Sequence, residues 1–415
     1  MLHDLLDRRG GAEKVLVSTA RSLKERGHEV SIFTLSLDEE TFTELVQNID
    51  VREIGILKGL TARSEAPRSS GLMHLRRAFG RLNPAQAAFL LYGLQTFSRL
   101  DLEDFDIIHA SNYPASNAAA LIRKRDSAAA IWGCNEPYRD LWLPANGSES
   151  YISRAVNRTV GGAMRRLDVR LVSRLDAVYV NSKYTRALVK RIYGRTATII
   201  YPGVDPGLYG PSLDGSDLKE HCCPRGENLI LTVSRLYPAK KIDILIKALR
   251  RLRDRGERVR LLIIGEGPER DRLQRLAHGL GLAGEVLFEG AVPEEEMRRF
   301  YAAADVFAFA APDEPWGLAV LEAMASGLPV VVPGTAGPAE SVEDGVTGLH
   351  VAGEDLDEYA EKLGMIIADR ELAERIGRSA RSKVQKSFTV ERMVDSLEAF
   401  YVRVLEGCHQ DQIEA

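Results

Sequence analysis

EPWGLAVLEAMASGLPVVVP, residues 314–333, holds a turn, an apolar helix and a buried strand in one run. Pro315-Trp316-Gly317 interrupts regular structure, and Leu318 to Ala325 carries a helical pattern. Gly327 and Pro329 end the helix, and Val330 to Val332 reads as a buried parallel strand. Glu314 then lies in the loop before the helix and Glu322 about one turn inside it. The unpaired N–H groups of a first helical turn, here near Gly317 and Leu318, attract phosphate, while a carboxylate on either side accepts hydrogen bonds from sugar hydroxyls. One segment can thus hold both ends of a sugar nucleotide. The plainer alternative is a pair of solvated helix-end charges.

Outward from this stretch, strand-like and helical runs alternate. Leu229 to Val233, Val259 to Ile264, Val286 to Phe288 and Val306 to Ala310 read as strands. Ile242 to Arg255, Glu269 to Leu280 and Glu294 to Ala303 read as helices between them. Such alternation predicts a parallel sheet covered on both faces, a Rossmann-like domain. The first half repeats the theme with Val30 to Thr34, Ile107 to Ala110, Ala128 to Ile131, Ala177 to Val180 and Thr198 to Ile200. The turn-rich segment from Pro202 puts a boundary near Asp205. The expected organisation is an N-terminal domain over 1–205, a nucleotide-sugar-binding domain over 206–388, and a final helix over 389–407.

Composition narrows the class. At 415 residues, with 45% hydrophobic and 27% charged residues, the chain reads as a soluble protein of two domains. A net charge of −4 argues against a general nucleic-acid binder. Cys134, Cys222, Cys223 and Cys408 show neither metal-ligand spacing nor a disulfide framework, so a reducing cytoplasm is the simplest setting. No apolar run approaches the roughly 18 residues that span a bilayer. The opening MLHDLLDRRGG lacks the apolar centre of a signal peptide.

Five ordered blocks resemble the retaining GT-B glycosyltransferases of glycosyltransferase family 4. They are VSRLYPAKKIDILIKAL (233–249), LLIIGEGPER (261–270), FEGAVPEEEMRRFYAAADVFAFAA (288–311), the E-x7-E pair Glu314 and Glu322, and GPAESVEDGVTGLHV (337–351). The N-terminal likeness is thinner: RRGGAEKVL, LKERGHEV, DIIHASNYPAS and NSKYTRALVKRIYGRTATIIYPGVD. The resemblance implies two Rossmann-like domains facing a cleft, with the last helix, Val390 to Leu405, crossing back to the first. One departure concerns the start. Only Met1 and Leu2 precede His3-Asp4 where the family has a longer apolar strand, so the first strand is expected to be clipped, with translation starting upstream.

Departure of a nucleoside diphosphate builds negative charge on the leaving group and positive charge on the sugar. Arg235 and Lys240 lie just past the strand Leu229 to Val233, at the edge where open α/β sheets bind ligands. The resemblance implies that both contact the diphosphate, for which a fixed guanidinium fork and a mobile ammonium are suited. It also brings Gly10 and Gly11 to the diphosphate from the other domain, glycine supplying clearance; an ordinary tight turn is the alternative. His109 ends the strand Ile107 to Ala110, where the family often has a cleft-facing His in H-x-H; Ser111 replaces the second. Of an H-T-P-x-R pattern, Pro137 and Arg139 match, which makes Arg139 a candidate substrate contact. Glu314 is expected at the donor sugar and Glu322 at the ribose hydroxyls, with Gly265 and Gly267 letting the chain pass close to the nucleotide.

No metal and no cofactor are expected. Asp104-Phe105-Asp106 and Asp355-Leu356-Asp357 read as solvated turns, and GEGPER lacks the third glycine of a dinucleotide fingerprint. Ser153 to Arg174 sets Arg154, Arg158, Arg165, Arg166, Arg170 and Arg174 beside an apolar stripe of Val156, Val160, Met164, Leu167 and Leu171. This is either a surface helix packed on the sheet or one drawn to anionic lipid. Arg63, Arg68, Arg76, Arg77 and Arg81 add to the charge of the same half. The expected activity is retaining transfer of a hexose, mannose from GDP-mannose first, to a saccharide or lipid-linked acceptor, at the cytoplasmic membrane face if lipid-linked. An epimerase of the same fold and a non-catalytic nucleotide-sugar binder are the rivals.

Overall fold

In the computed structural model the segment Leu2–Leu6 forms a strand, β1, parallel to β2 (Ser31–Leu37) and β4 (Ile107–Ala110). The apolar pattern stops at Leu2, yet the strand continues through His3 and Asp4. Leu2 and Leu6 are buried, and buried His3 keeps Nε2 within 3.5 Å of both Asp4 Oδ1 and Glu13 Oε1. Leu2 and Leu6 thus supply the apolar burial, while the polar side chains between them face acidic partners. Pairing with β2 runs from Leu2 to Leu6, whereas the register with β4 is confined to Leu2 opposite Ala110.

The structure describes residues 1–6, 10–39, 41–55, 84–122, 128–142, 151–210 and 213–413. These form two units, Met1–Tyr201 with Val394–Ala415, and Pro202–Met393. In the first, β3 (Asp50–Glu53), β5 (Ala129–Cys134), β6 (Ala177–Val180) and β7 (Thr198–Ile199) complete a parallel seven-stranded sheet in the order β3-β2-β1-β4-β5-β6-β7. Neighbouring residues of β2 enter cores on opposite faces, Ile32 with Leu6 and Leu16, Phe33 with Leu2 and Ile108. That alternation is what a strand covered by helices on both sides requires.

The second unit has six parallel strands: β8 (Asn228–Val233), β9 (Val259–Ile264), β10 (Val286–Gly290), β11 (Val306–Ala308), β12 (Val330–Pro333) and β13 (Leu349–Val351). Their order is β10-β9-β8-β11-β12-β13. Leu229 to Leu231 and Val330 to Val332 are buried, as expected for strands with no wet face. Progression reverses direction between β8 and β11, which makes their C-terminal ends a topological switch point, where open α/β sheets bind ligands. Both units are therefore Rossmann-like, as the alternation of runs implies. Among the described residues no helix is long and apolar enough to cross a membrane.

Candidate active site

Two loops leave the switch point of the second unit. The one after β8 carries Arg235 and a 3-10 turn, Pro238–Lys240; the one after β11 carries Glu314. They meet in an ion pair between Lys240 Nζ and Glu314 Oε2. The side chains are 21% and 20% exposed, so water screens the pair only in part while a ligand can still reach it. Arg235, on the same loop as Lys240, is exposed, with its guanidinium 5.7 Å from the centroid of the Tyr237 ring.

The β8 loop is held by the next crossover. Leu236 donates to the Glu266 carbonyl at 2.9 Å, and Glu269 donates back to the Leu236 carbonyl at 3.1 Å. A Cβ on Gly265, whose φ is +131°, would lie 2.0 Å from the Ser234 carbonyl oxygen, and one on Gly267 would lie 2.4 Å from that of Leu236. These glycines therefore clear space for the loop that carries Arg235.

Glu314 is fixed from its own side. Its carbonyl accepts from Gly337 N–H at 3.0 Å, and a Cβ on Gly337 would collide with the Pro315 carbonyl at 2.2 Å, so this turn packs directly on backbone. Trp316 is buried against Phe388, with centroids 5.4 Å apart. Gly317, at φ 88°, caps the helix Leu318–Ala325; a side chain there would be strained. The partly exposed Leu318 opens the first turn. Glu322 differs sharply from Glu314. It is buried, and its Oε2 accepts from Tyr301 Oη at 2.8 Å.

In the first unit each anticipated residue has its own partners. Gly10 caps the helix Gly11–Glu25 in an extended conformation, and a Cβ there would sit 2.5 Å from Glu13 Oε2. Arg139 opens the short helix Arg139–Trp142 and pairs with Glu136. His109 is buried, with Nδ1 2.8 Å from Tyr401 Oη and Nε2 3.0 Å from Tyr179 Oη. Burial holds its pKa down to about 3, so the ring is neutral, donating to one tyrosine and accepting from the other. Both nitrogens are engaged within the unit.

A glycosyl transferases group 1 model matches residues 217–383, and a Glycosyltransferase Family 4 model matches residues 9–208. A GDP-mannose-dependent alpha-(1-6)-phosphatidylinositol monomannoside mannosyltransferase of Mycolicibacterium smegmatis is 34% identical over 64% of this chain and 74% of its own. The chain belongs to glycosyltransferase family 4. A D-inositol 3-phosphate glycosyltransferase of Nocardia farcinica is 27% identical over 89% of this chain and 79% of its own. The fold is also that of Anabaena HepE in complex with UDP-glucose, with a TM-score of 0.74, 23% identity and coverage of 97% and 100%.

This family 4 glycosyltransferase has features that periodicity does not reveal. Tyr237 and Tyr301, beside Arg235 and Glu322, read only as a loop aromatic and a core aromatic. In the arginine-rich helix, Tyr151–Val172, Leu171 is buried but Val160 and Leu167 are exposed, so the stripe is not one packed face. Asp168 is the buried member, accepting from Asn117, Trp142 and Tyr193 at 3.0, 2.6 and 2.8 Å. Arg166 and Arg170 are exposed, and the side chains of Arg154 and Arg158 lie outside the described residues. So do Arg63, Arg68, Arg76, Arg77 and Arg81. Asp355 caps the helix Leu356–Ala368 by accepting from Asp357 and Glu358 N–H, and Asp357 pairs with Arg251, so that D-x-D triple has structural partners.

Proposed function

We propose that this glycosyltransferase moves a hexose, mannose from GDP-mannose being the first candidate, to a saccharide or lipid-linked acceptor with retention of configuration. The observation that carries the donor assignment is the 34% identity to a GDP-mannose-dependent mannosyltransferase. Arg235 and Lys240 neutralise the diphosphate as its bond to the sugar breaks, aided by the first turn of the helix at Gly317 and Leu318. Glu314 accepts hydrogen bonds from the sugar and Glu322 from the ribose. The departing phosphate takes the acceptor's proton on the face it leaves, so no side-chain nucleophile is required. The meeting of Lys240 with Glu314 at the switch point, on the loop that also carries Arg235, supports this division of labour.

The acceptor reading rests on the names of the relatives, which act on a phosphatidylinositol mannoside and on an inositol phosphate. An anionic phosphate-bearing polyol, free or on a lipid, fits both. The helix Tyr151–Val172 supports a peripheral contact with an anionic membrane face, because Val160 and Leu167 stand exposed beside Arg166 and Arg170. Thermal stabilisation by a panel of GDP- and UDP-sugars, followed by transfer assays with the donor that stabilises most, tests the assignment. Stabilisation by UDP-sugars alone would overturn the donor. Isomerised sugar nucleotide formed without acceptor would overturn transfer.

A further inference from the structure

Glu322 is the less accessible of the two glutamates, and what surrounds it is specific. Its partner Tyr301 is buried near the end of the helix Glu294–Ala303, with the ring tilted on Phe307 of β11 at 5.9 Å and edge-on to Tyr209 at 6.0 Å. Tyr209 is itself fixed. Its hydroxyl donates to Glu294 Oε1 at 3.1 Å, the Arg298 guanidinium lies 5.7 Å over its ring, and its carbonyl accepts from Arg381 Nη1 at 2.6 Å. Arg381 Nη1 also donates to the Ala325 carbonyl at the end of the helix that carries Glu322. The helix that carries Glu322 and the tyrosine packed edge-on against Tyr301 are therefore tied to the same guanidinium.

We propose that Tyr301 is a positioning residue that holds Glu322 in the orientation in which its carboxylate accepts from the vicinal hydroxyls of a nucleoside ribose. The inference rests on the reading that Glu322 meets the ribose. A carboxylate offers about four acceptor sites, so the bond from the Tyr301 phenol helps to orient the group without by itself exhausting its capacity for a diol. Burial raises the Tyr301 pKa, which keeps the hydroxyl a donor at working pH. Without that donor the carboxylate is held less firmly, and the diol must supply more of the ordering itself.

Tyr301→Phe keeps the ring against Tyr209 and Phe307 and removes one O–H. Its donor KM is expected to rise roughly tenfold with kcat within about twofold of the parent. Calorimetry with GDP and UDP, each against its 2′-deoxy analogue, is expected to show the preference for ribose falling by a similar factor. Glu322→Gln should abolish that preference, and Tyr301→Phe added to it should change nothing further. If Glu322→Gln lowers the preference and Tyr301→Phe does not, the positioning role is wrong. If Glu322→Gln leaves the preference intact, the ribose assignment itself falls. Loss of a cooperative melt in Tyr301→Phe would make the hydroxyl a determinant of the fold and also overturn the proposal.

Discussion

Lys240 and Glu314, 74 positions apart, neutralise each other across the switch point between β8 and β11. The cation assigned to the diphosphate and the carboxylate assigned to the sugar are thus already in contact. On the proposed reading, a donor diphosphate draws Lys240 to itself and releases Glu314 to the sugar hydroxyls, so neither group is left as an unpaired charge in either state.

Substitution at this pair should therefore be non-additive. Glu314→Gln and Lys240→Ala are each expected to lower kcat/KM by about a hundredfold, and the double variant by clearly less than the product. Steady-state kinetics of the four proteins measure the coupling. Additive losses would mean that the two side chains act independently.

Arg235 is exposed, so Arg235→Ala should leave the thermal midpoint almost unchanged. It should weaken nucleoside diphosphate binding roughly tenfold or more, with a smaller loss for the bare nucleoside. Calorimetry with GDP, UDP and their nucleosides reads the difference. Equal losses for diphosphate and nucleoside would remove Arg235 from the phosphate.

Gly265→Ala meets both a φ of +131° and a carbonyl oxygen 2.0 Å from the new Cβ. A destabilisation of about 3 kcal/mol is expected, since neither strain can be relieved by rotating a side chain. Urea unfolding measures it. An unchanged midpoint would show that the loop carrying Arg235 shifts without cost.

His109 couples stability to pH with a defined sign. Its folded pKa of about 3 lies below the reference 6.5, so the unfolded chain binds a proton that the folded chain does not. Stability therefore falls as pH drops through 6.5 toward 3, by up to roughly 1.4 kcal/mol per unit, and this contribution is flat above 6.5. His109→Gln should remove one proton's worth of that slope in urea titrations between pH 4 and pH 7. An unaltered slope would mean that the ring is not buried neutral.

Membrane attraction depends on exposed charge. Replacing Arg166 and Arg170 together by Glu should lower pelleting with phosphatidylglycerol vesicles several-fold and leave transfer to a soluble acceptor unchanged. Equal pelleting of parent and variant would count against this helix as the contact.

Most strands and helices were legible because their signals are local. Leu229 to Val233 and Val259 to Ile264 are unbroken apolar runs, and Gly327 with Pro329 stops a helix where it does stop. The difficult elements owe their stability to distant partners. β1 tolerates His3 and Asp4 because Glu13 and Asn112 meet them, Asn112 Nδ2 lying 3.1 Å from Asp4 Oδ1. Asp168 sits inside an arginine-rich helix because three donors from other elements converge on it. At the site, residue type and spacing single out Arg235, Lys240, Glu314 and Glu322. They cannot separate a partly exposed glutamate paired with lysine from a buried one paired with tyrosine, since Tyr301 and Lys240 reach them from other elements.

The clasp between His109 and Tyr401 joins residues separated by 292 positions. On the ribosome, β4 emerges long before the helix that supplies the second tyrosine, whereas the Pro202–Met393 unit is contiguous and can fold as it appears. The half made first is thus the half completed last. Until Phe400 and Tyr401 are synthesised, Tyr179 and His109 lack the aromatic partners they meet in the finished unit, which is the interval in which a chaperone has most to protect.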